Sequence, residues 1–444
     1  MNMNVLLKGL MKLAAGLVIL LLLVIGVFVG INIKDQPPSA AAIEFQEAWD
    51  NRAPVPDNDN GYIYLLGFDV EEASDPVVVG LERIRWASEA IKEDSKENLN
   101  YPQPRYNLQQ QLSTVMNESL EHCKQINPEC IDAIEKKSAE IAAEQTSGQW
   151  LEKRYHTLIT HSAWLELSVL DIRLPLPNYG DVIKAQRLVF MRAFATGDAN
   201  AFKLLANQDL YFWRMVLANT DTLIGKMVAV AAIKNNFAWI NFFLRKQDAS
   251  TLDAAIPDLL NQPFTEAELS LYRSIAGEWV FGNTGYLQLD ELSDKPAERF
   301  AAKLLLKKQD TSNRIADRLK RLLDQVDVPV NEFESAWENR EAPQTIVKRP
   351  AALHYVMNPY NPVGKILVEV ASPAYDNYVA RVKDLEVFRL GLLSAVTTMQ
   401  APEAGVVKTA SLYKKYPFAV DEARRSVTVT GYGNGPQGEQ VFFY

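Results

Sequence analysis

The chain has 444 residues, with 46 Lys and Arg against 55 Asp and Glu, a formal net charge of −9, and 48% hydrophobic residues. A chain of this length can bury a sizeable core, and its acidic balance without any run of basic residues argues against a nucleic-acid partner and against clinging to anionic lipid headgroups. Two cysteines and four histidines leave no material for a disulfide-rich scaffold and little for zinc chemistry.

Residues Leu13 to Ile33 are charge-free and apolar, broken only by Asn32. A helix of roughly 20 such residues crosses a bilayer, so the run predicts a transmembrane helix. Lys8 and Lys12 precede it, whereas Lys34 is followed at once by Asp35. That asymmetry predicts a cytoplasmic tail over 1–12 and export of the bulk. The first 34 residues hold three lysines and no acid; the remainder has 43 basic and 55 acidic residues, a net of −12. A cleaved signal peptide is the competing reading, with small residues at Ser39-Ala40-Ala41-Ala42, but signal-peptide apolar regions run about 7–15 residues, shorter than this one. Gly26 and Gly30 fall four apart on one face, where a second spanning helix could approach. The other apolar stretch, Leu223 to Leu244, carries Lys226, Lys234, Asn235, Asn236 and Asn241, and reads as a buried helix of a water-soluble domain.

Beyond the stiff spacer Asp35-Gln36-Pro37-Pro38, Ser39 can cap a helix running through Glu44-Phe45 and Ala48-Trp49 to the break at Ala53-Pro54. Asp57-Asn58-Asp59-Asn60-Gly61 has the residues of a calcium loop but places its glycine one position early and lacks the closing Glu, so it reads as a turn. Gly61 to Phe68 alternates aromatic and aliphatic residues between glycines and predicts a strand. From Asp75-Pro76 the signals are helical, with proline in the first turn. Cys123 and Cys130 flank the turn signal Asn127-Pro128 and predict a local disulfide in an oxidising space. Ile131, Ile134, Ser138 and Ile141, then Leu151, Tyr155, Leu158, Ser162, Leu165 and Val169, form two stripes at helical spacing joined near Ser147-Gly148. Arg173 to Gly180, with Pro175 and Pro177, marks a non-helical crossing.

From Asp181 to about Gly282 the pattern is a succession of helices with short loops, including a capping box at Thr265 and Glu268. Phe202, Tyr211, Phe212, Trp213, Phe237, Trp239, Phe242 and Phe243 either fill a thick core or partly line a groove. No fixed period supports a regular solenoid, but one echo exists between Glu44-Phe45-x-x-Ala48-Trp49-Asp50-Asn51-Arg52 and Glu332-Phe333-x-x-Ala336-Trp337-Glu338-Asn339-Arg340. Past Arg340 prolines cluster, Asn358 to Gly364 reads as turns, and Ile366 to Val370 as a strand. A helix is expected from about Ala374 to Thr398, with Tyr375, Tyr378, Val382, Leu385, Phe388, Leu392 and Val396 on its apolar face. Ser426 to Thr430 and Gln440 to Tyr444 read as a β-hairpin.

Few residues carry chemistry. Of the four histidines, His122, His156, His161 and His354, His156 and His161 are five apart and diverge on a helix, and His122 beside Cys123 would leave a tetrahedral site incomplete, so no metal or cofactor is expected. Ser411-Leu412-Tyr413-Lys414 matches Ser-x-x-Lys, but Lys408-Thr409-Ala410 precedes it and no Ser-Asp-Asn follows, against the order that chemistry requires. Common hydrolase and nucleotide signatures are absent. Glu278, beside Trp279, is the one carboxylate that could act as a general acid in glycan cleavage.

The expected fold is mainly α: a single transmembrane helix (13–33), a linker with a short helix (34–60), an exported irregular helical bundle or array (61–340), and a small mixed α/β part ending in a hairpin (341–444). The expected role is an interaction or scaffold component of a bacterial envelope, held in the inner membrane with its C-terminal domain in the periplasm and contacting an envelope protein or a second copy. The alternative is a peptidoglycan-directed glycan hydrolase using Glu278.

Overall fold

The computed structural model describes residues 3–92, 99–103, 105–106, 111–144, 147–167, 171–248, 251–287, 295–340, 358–370, 375–401, 411–433 and 438–444. Among these the chain is mainly helical, with a three-stranded sheet at the C-terminus. It divides into two compact units, one comprising Met1–Glu47, Trp279–Arg321 and Glu341–Ala374, the other Ala48–Glu278, Leu322–Arg340 and Tyr375–Tyr444.

The first unit carries the anchor. Met3–Ile31 is one continuous helix. Its stretch Leu7–Ile31 is long and apolar enough to cross a membrane, and none of it is buried against protein. Asn32, the one polar residue in the apolar run, is fully buried at the helix end. Its Nδ2 donates to the Phe28 and Pro359 carbonyls at 3.0 Å, and its Oδ1 accepts from the Asn361 amide at 2.9 Å. The spacer that follows is tied down: the Asp35 carboxylate accepts from the amides of Gln309 and Asp310 and so caps the Lys308–Val326 helix. Ser39 begins the Ala40–Asp50 helix as expected, accepting from Ala42 N and donating to Asp317. Phe45 packs against Trp279, whose indole N–H donates to the Ser312 carbonyl.

The expected strand at Ile366–Val370 is instead the end of a helix, Pro362–Val370. Asn361 is buried and accepts from the Gly364 amide, so Asn361-Pro362 is a helix cap followed by a first-turn proline, a start signal that the surrounding turn residues masked.

In the second unit the Ala199–Asn219 and Leu223–Leu244 helices, joined by three residues, form the central pair. Phe202 at the start of one stacks on Phe243 at the end of the other, 3.8 Å between centroids, which fits an antiparallel pair. Phe190, Phe194 and Trp239 extend this aromatic layer onto the Tyr179–Thr196 helix. The aromatics expected over 202–244 thus fill the core, except Tyr211, which is exposed. Leu223–Leu244 passes the length and apolarity test for a span, but 67% of it is buried. A polar hub pins four helices: Asp209 accepts from Tyr155, Gln186 and Asn236, and Tyr155 accepts from the Trp213 indole.

The expected strand at Gly61–Phe68 is also a helix, Gly61–Leu66, buried throughout. A short, uniformly apolar run has no periodicity to separate the two forms. Here Asn60 decides, its side chain accepting from the Tyr62 amide as a helix cap. The Pro76–Ala90 helix starts with Asp75 capping Val77, and crosses so closely that a Cβ on Gly80 would stand 2.0 Å from the Ile63 carbonyl oxygen.

The Thr114–His122 and Pro128–Lys136 helices are linked by the Cys123–Cys130 disulfide, with S–S 2.16 Å and Cα–Cα 4.7 Å. Of the two stripes, Ile131, Ile134, Ile141, Leu151, Tyr155, Leu158 and Leu165 are buried. Ser162 is exposed in a segment after the helix end, and Val169 lies outside the described residues. The helix expected from Ala374 runs over Asp376–Gln400, but it is not amphipathic, because Val379, Ala380, Val387 and Ala395 are buried as well. Leu223–Leu244 packs on it, and so does the sheet, where a Cβ on Gly391 would meet Val429 at 2.2 Å.

The sheet is antiparallel in the order Ala419–Asp421, Ser426–Thr430, Glu439–Phe443, with Val427 opposite Phe442 and Thr428 opposite Val441. The expected hairpin is present with one additional strand, and its loop at 434–437 lies outside the described residues. Asn241 acts as a partner to the last strand, exchanging two hydrogen bonds with the Phe443 backbone at 2.7 and 2.8 Å.

Candidate functional site

The residues singled out in the sequence do not converge. Glu278 lies on the Tyr272–Leu287 helix and accepts from the Leu223 amide at 2.9 Å, at the N-terminus of the Leu223–Leu244 helix. Burial raises its pKa and this hydrogen bond opposes the rise. Ser411 Oγ accepts from Tyr413 N in a local turn, and Lys414 is exposed with its backbone amide bound to Glu334; 408–410 lie outside the described residues. His161 packs its ring on Tyr64 and His156 is exposed. Asp57–Asp59 is a short turn of helix. Among the described residues no group of three or more His, Cys, Asp or Glu is placed to hold a metal ion.

A cleft of about 710 Å³ opens instead in the second unit, between the segment around Asn100–Arg105 and the crossing Pro175–Gly180. Prolines on both segments prevent helix, and hydrogen bonds fix them. Tyr101 Oη donates to the Pro175 carbonyl at 3.1 Å and Arg105 to the Leu176 carbonyl at 3.0 Å. The Arg173 guanidinium grips Asp171 through two nitrogens and reaches the Ile91 carbonyl. Arg83 lies under the Tyr101 ring, 4.4 Å from its centroid.

Asp69 is the buried hub beneath this cleft, 1% exposed. Its carboxylate pairs with Arg83 at 2.6 Å and Arg105 at 3.3 Å and accepts from Asn178, while its carbonyl accepts from the Tyr106 amide. The negative charge is therefore neutralised within the protein. Arg105 keeps 48% of its side chain exposed, and Gln103 Oε1 is buried without a hydrogen-bond donor among the described residues. The cleft thus offers the half-exposed Arg105 guanidinium and the Tyr101 ring to a ligand.

Its far wall is Ile224, in the first turn of the Leu223–Leu244 helix, with Tyr179. That helix end is held by several carboxylates. Thr222 accepts from the Gly225 amide and donates to Glu166, as do Thr220 and the Trp164 indole. Burial pushes the Glu166 carboxyl up to about 7, with the Asp221 charge adding to the rise and the three donors opposing it. Asp221 is paired on both sides, with Arg52 and Arg273, each at 2.7 Å. Tyr179 is buried beside this group, and burial followed by the Glu166 charge raises its phenol. A Cβ on Gly225 would stand 2.2 Å from Thr220 Oγ1, so the glycine admits this packing.

Glu278, Glu166 and Asp221 therefore serve as supports of a cleft wall. The crossing was legible as non-helical over Arg173–Asn178, although the helix capped by Asn178 begins at Tyr179, inside the expected Arg173–Gly180, and the Asn100-Tyr101-Pro102-Gln103 segment has the proline and aromatic content of a binding loop. Their pairing through Asp69 joins residues more than one hundred positions apart, and no spacing rule reaches that far. Comparison with known proteins finds no matching family model, no matching curated protein and no matching solved structure.

Proposed function

We propose that this chain is an anchored envelope scaffold: a single-pass protein, N-terminus in the cytoplasm, whose helical domain in the periplasm holds an extended segment of a partner protein in the cleft between Tyr101 and Leu176. The observation that carries the reading is the state of the cleft's polar groups. Asp69 is neutralised beneath it, while the Arg105 guanidinium stays half-exposed beside the Tyr101 ring and the exposed Leu176. An extended segment brings exposed C=O groups that a guanidinium can receive and side chains that an aromatic ring and Leu176 can pack against.

Placement outside the cytoplasm is supported by the lysines ahead of the span and by the Cys123–Cys130 disulfide. Gly26 and Gly30 leave one face of the span open to a second helix, the arrangement a homodimer would use. Glu278 is engaged in capping a helix, which favours holding over glycan cleavage.

A photo-crosslinking residue at Leu176, 57% exposed at the cleft, should capture a defined envelope protein in native membranes, whereas one at Leu204, 60% exposed away from it, should not. Gln103→Ala with Arg105→Ala should abolish that capture. Equal capture from both positions, or capture that survives the double substitution, would defeat the reading.

A further inference from the structure

In the second unit a cavity of about 70 Å³ lies against the Thr114–His122 and Tyr179–Thr196 helices. Leu112, Leu120 and Leu151 wall it, and Lys124, Lys184 and Arg187 converge on it. Two of these cations have acids of their own: Lys124 pairs with Glu121 at 2.6 Å and Lys184 with Asp181 at 3.3 Å. The other acids on the helices around the cavity are matched as well, Glu118 by Lys137 and Glu152 by Arg192. Arg187 is left over. It is half-buried, its Nε is enclosed by protein without a hydrogen-bond acceptor, and it has no ion pair or ring contact among the described residues.

Burial lowers the Arg187 pKa with no nearby carboxylate opposing the fall. Arginine carries five donors and keeps its proton, so a partly desolvated guanidinium without an acceptor is costly. Arg192, five residues further along the same helix, shows the usual remedy, donating to Glu152 and to the Glu144 and Ser147 carbonyls. At Arg187 the protein supplies a cavity instead. By the allowance of roughly 10–15 Å³ for each enclosed water, about 70 Å³ has room for on the order of five waters, or for the five heavy atoms of one tetrahedral oxyanion. A nucleotide, a lipid headgroup or a peptide segment does not fit.

We propose that this cavity binds a compact oxyanion, inorganic phosphate or sulfate, with the Arg187 guanidinium as its fork and Lys124 and Lys184 as further donors. A planar guanidinium binds two oxygens of such an anion at once, and the leucine walls keep competing water away. Lys184 and Arg187 stand three residues apart on one helix face, where an anion between them relieves their mutual repulsion. Lys124 follows Cys123 directly, so the bound anion ties the disulfide-linked hairpin to the Tyr179–Thr196 helix.

Equilibrium dialysis of the full chain in detergent against radiolabelled inorganic phosphate tests this, with unlabelled phosphate, sulfate or chloride as competitors. The wild type should bind one phosphate per chain, saturably, and Arg187→Gln should weaken binding on the order of tenfold or more. Arg85→Gln, at an exposed arginine of the Pro76–Ala90 helix, should leave it unchanged. Should Arg187→Gln lose its circular dichroism spectrum, Arg187→Lys, which keeps the charge but not the fork, takes its place and should weaken binding too. Sulfate displacing the label more readily than phosphate keeps the site and assigns it to sulfate. No saturable phosphate in the wild type, chloride displacing it as readily as unlabelled phosphate, or undiminished binding in a folded Arg187 variant would overturn the proposal.

Discussion

The Glu278 carboxylate accepts from the Leu223 amide at 2.9 Å, so the residue with the strongest claim to acid chemistry caps a neighbouring helix. A carboxylate at a helix N-terminus satisfies an orphan N–H and meets the positive end of the helix dipole. Glu278→Gln keeps an acceptor and should lower stability by only about 0.3–1 kcal/mol. Glu278→Ala removes the acceptor and should cost about 1–2 kcal/mol. Denaturant melts of the full chain in detergent check both. A folded Glu278→Gln protein that had lost a measurable peptidoglycan-cleaving activity would restore the catalytic reading.

Two buried groups give opposite pH slopes. Glu166 rises from 4.5 to about 7 on folding, chiefly through burial and then through Asp221, so the folded state keeps a proton that the unfolded chain releases. Its contribution is present below pH 4.5 and is lost as the pH rises through 7. Lys226, lowered from 10.5 to about 7 by burial, donates to the Leu217 and Glu268 carbonyls; its contribution is present above pH 10.5 and lost as the pH falls through 7. Glu166→Gln should therefore flatten the stability profile between pH 4.5 and 7, by up to roughly 3 kcal/mol. Lys226→Met should flatten it above 7. Melts across pH that left both slopes unchanged would contradict these assignments.

Asp75-Pro76 and the Thr265–Glu268 box start helices as read, and Asn127-Pro128, read only as a turn, also caps one. The sequence misled in runs too short to show a period. Gly61–Leu66 and Ile366–Val370 are short apolar runs in which alternation and helical spacing cannot be told apart, and in both the deciding residue was an asparagine just upstream. The nine-residue echo is structural. Arg52 folds over Trp49 at 3.5 Å and donates to its carbonyl, and Arg340 does the same over Trp337 at 3.6 Å. Each arginine thus closes a helix C-terminus and then reaches an aspartate, Asp221 and Asp376.

Gly80 tests whether close crossing or helix propensity decides the fit of the first two helices of the larger unit. Alanine ordinarily favours a helix over glycine by about 1 kcal/mol. A Cβ at Gly80, however, would lie 2.0 Å from backbone oxygen of Ile63, which cannot rotate away. Gly80→Ala should therefore destabilise, by about 1–3 kcal/mol or more. Gly180→Ala, where the nearest atom is 3.7 Å away, should be neutral or stabilising. Equal melting of the two variants would show that the Pro76–Ala90 helix can shift freely.

The Cys123–Cys130 bond links stability to compartment. Both cysteines are fully buried, and the bond closes a short loop between the Thr114–His122 and Pro128–Lys136 helices. Closing so short a loop restricts the unfolded chain by about 2–3 kcal/mol in the chain-entropy account. Cys123→Ser with Cys130→Ser should lower stability by that amount, and reductant should lower the wild type to the same level without affecting the variant. The same pair reports the side of the membrane. If the domain is exported, cells denatured in the presence of maleimide should yield a chain that labels only after reduction, because an oxidising space holds the bond closed. Immediate labelling of both thiols would place the domain in the reducing cytoplasm, and with it the cleft, whose envelope partner would then be out of reach.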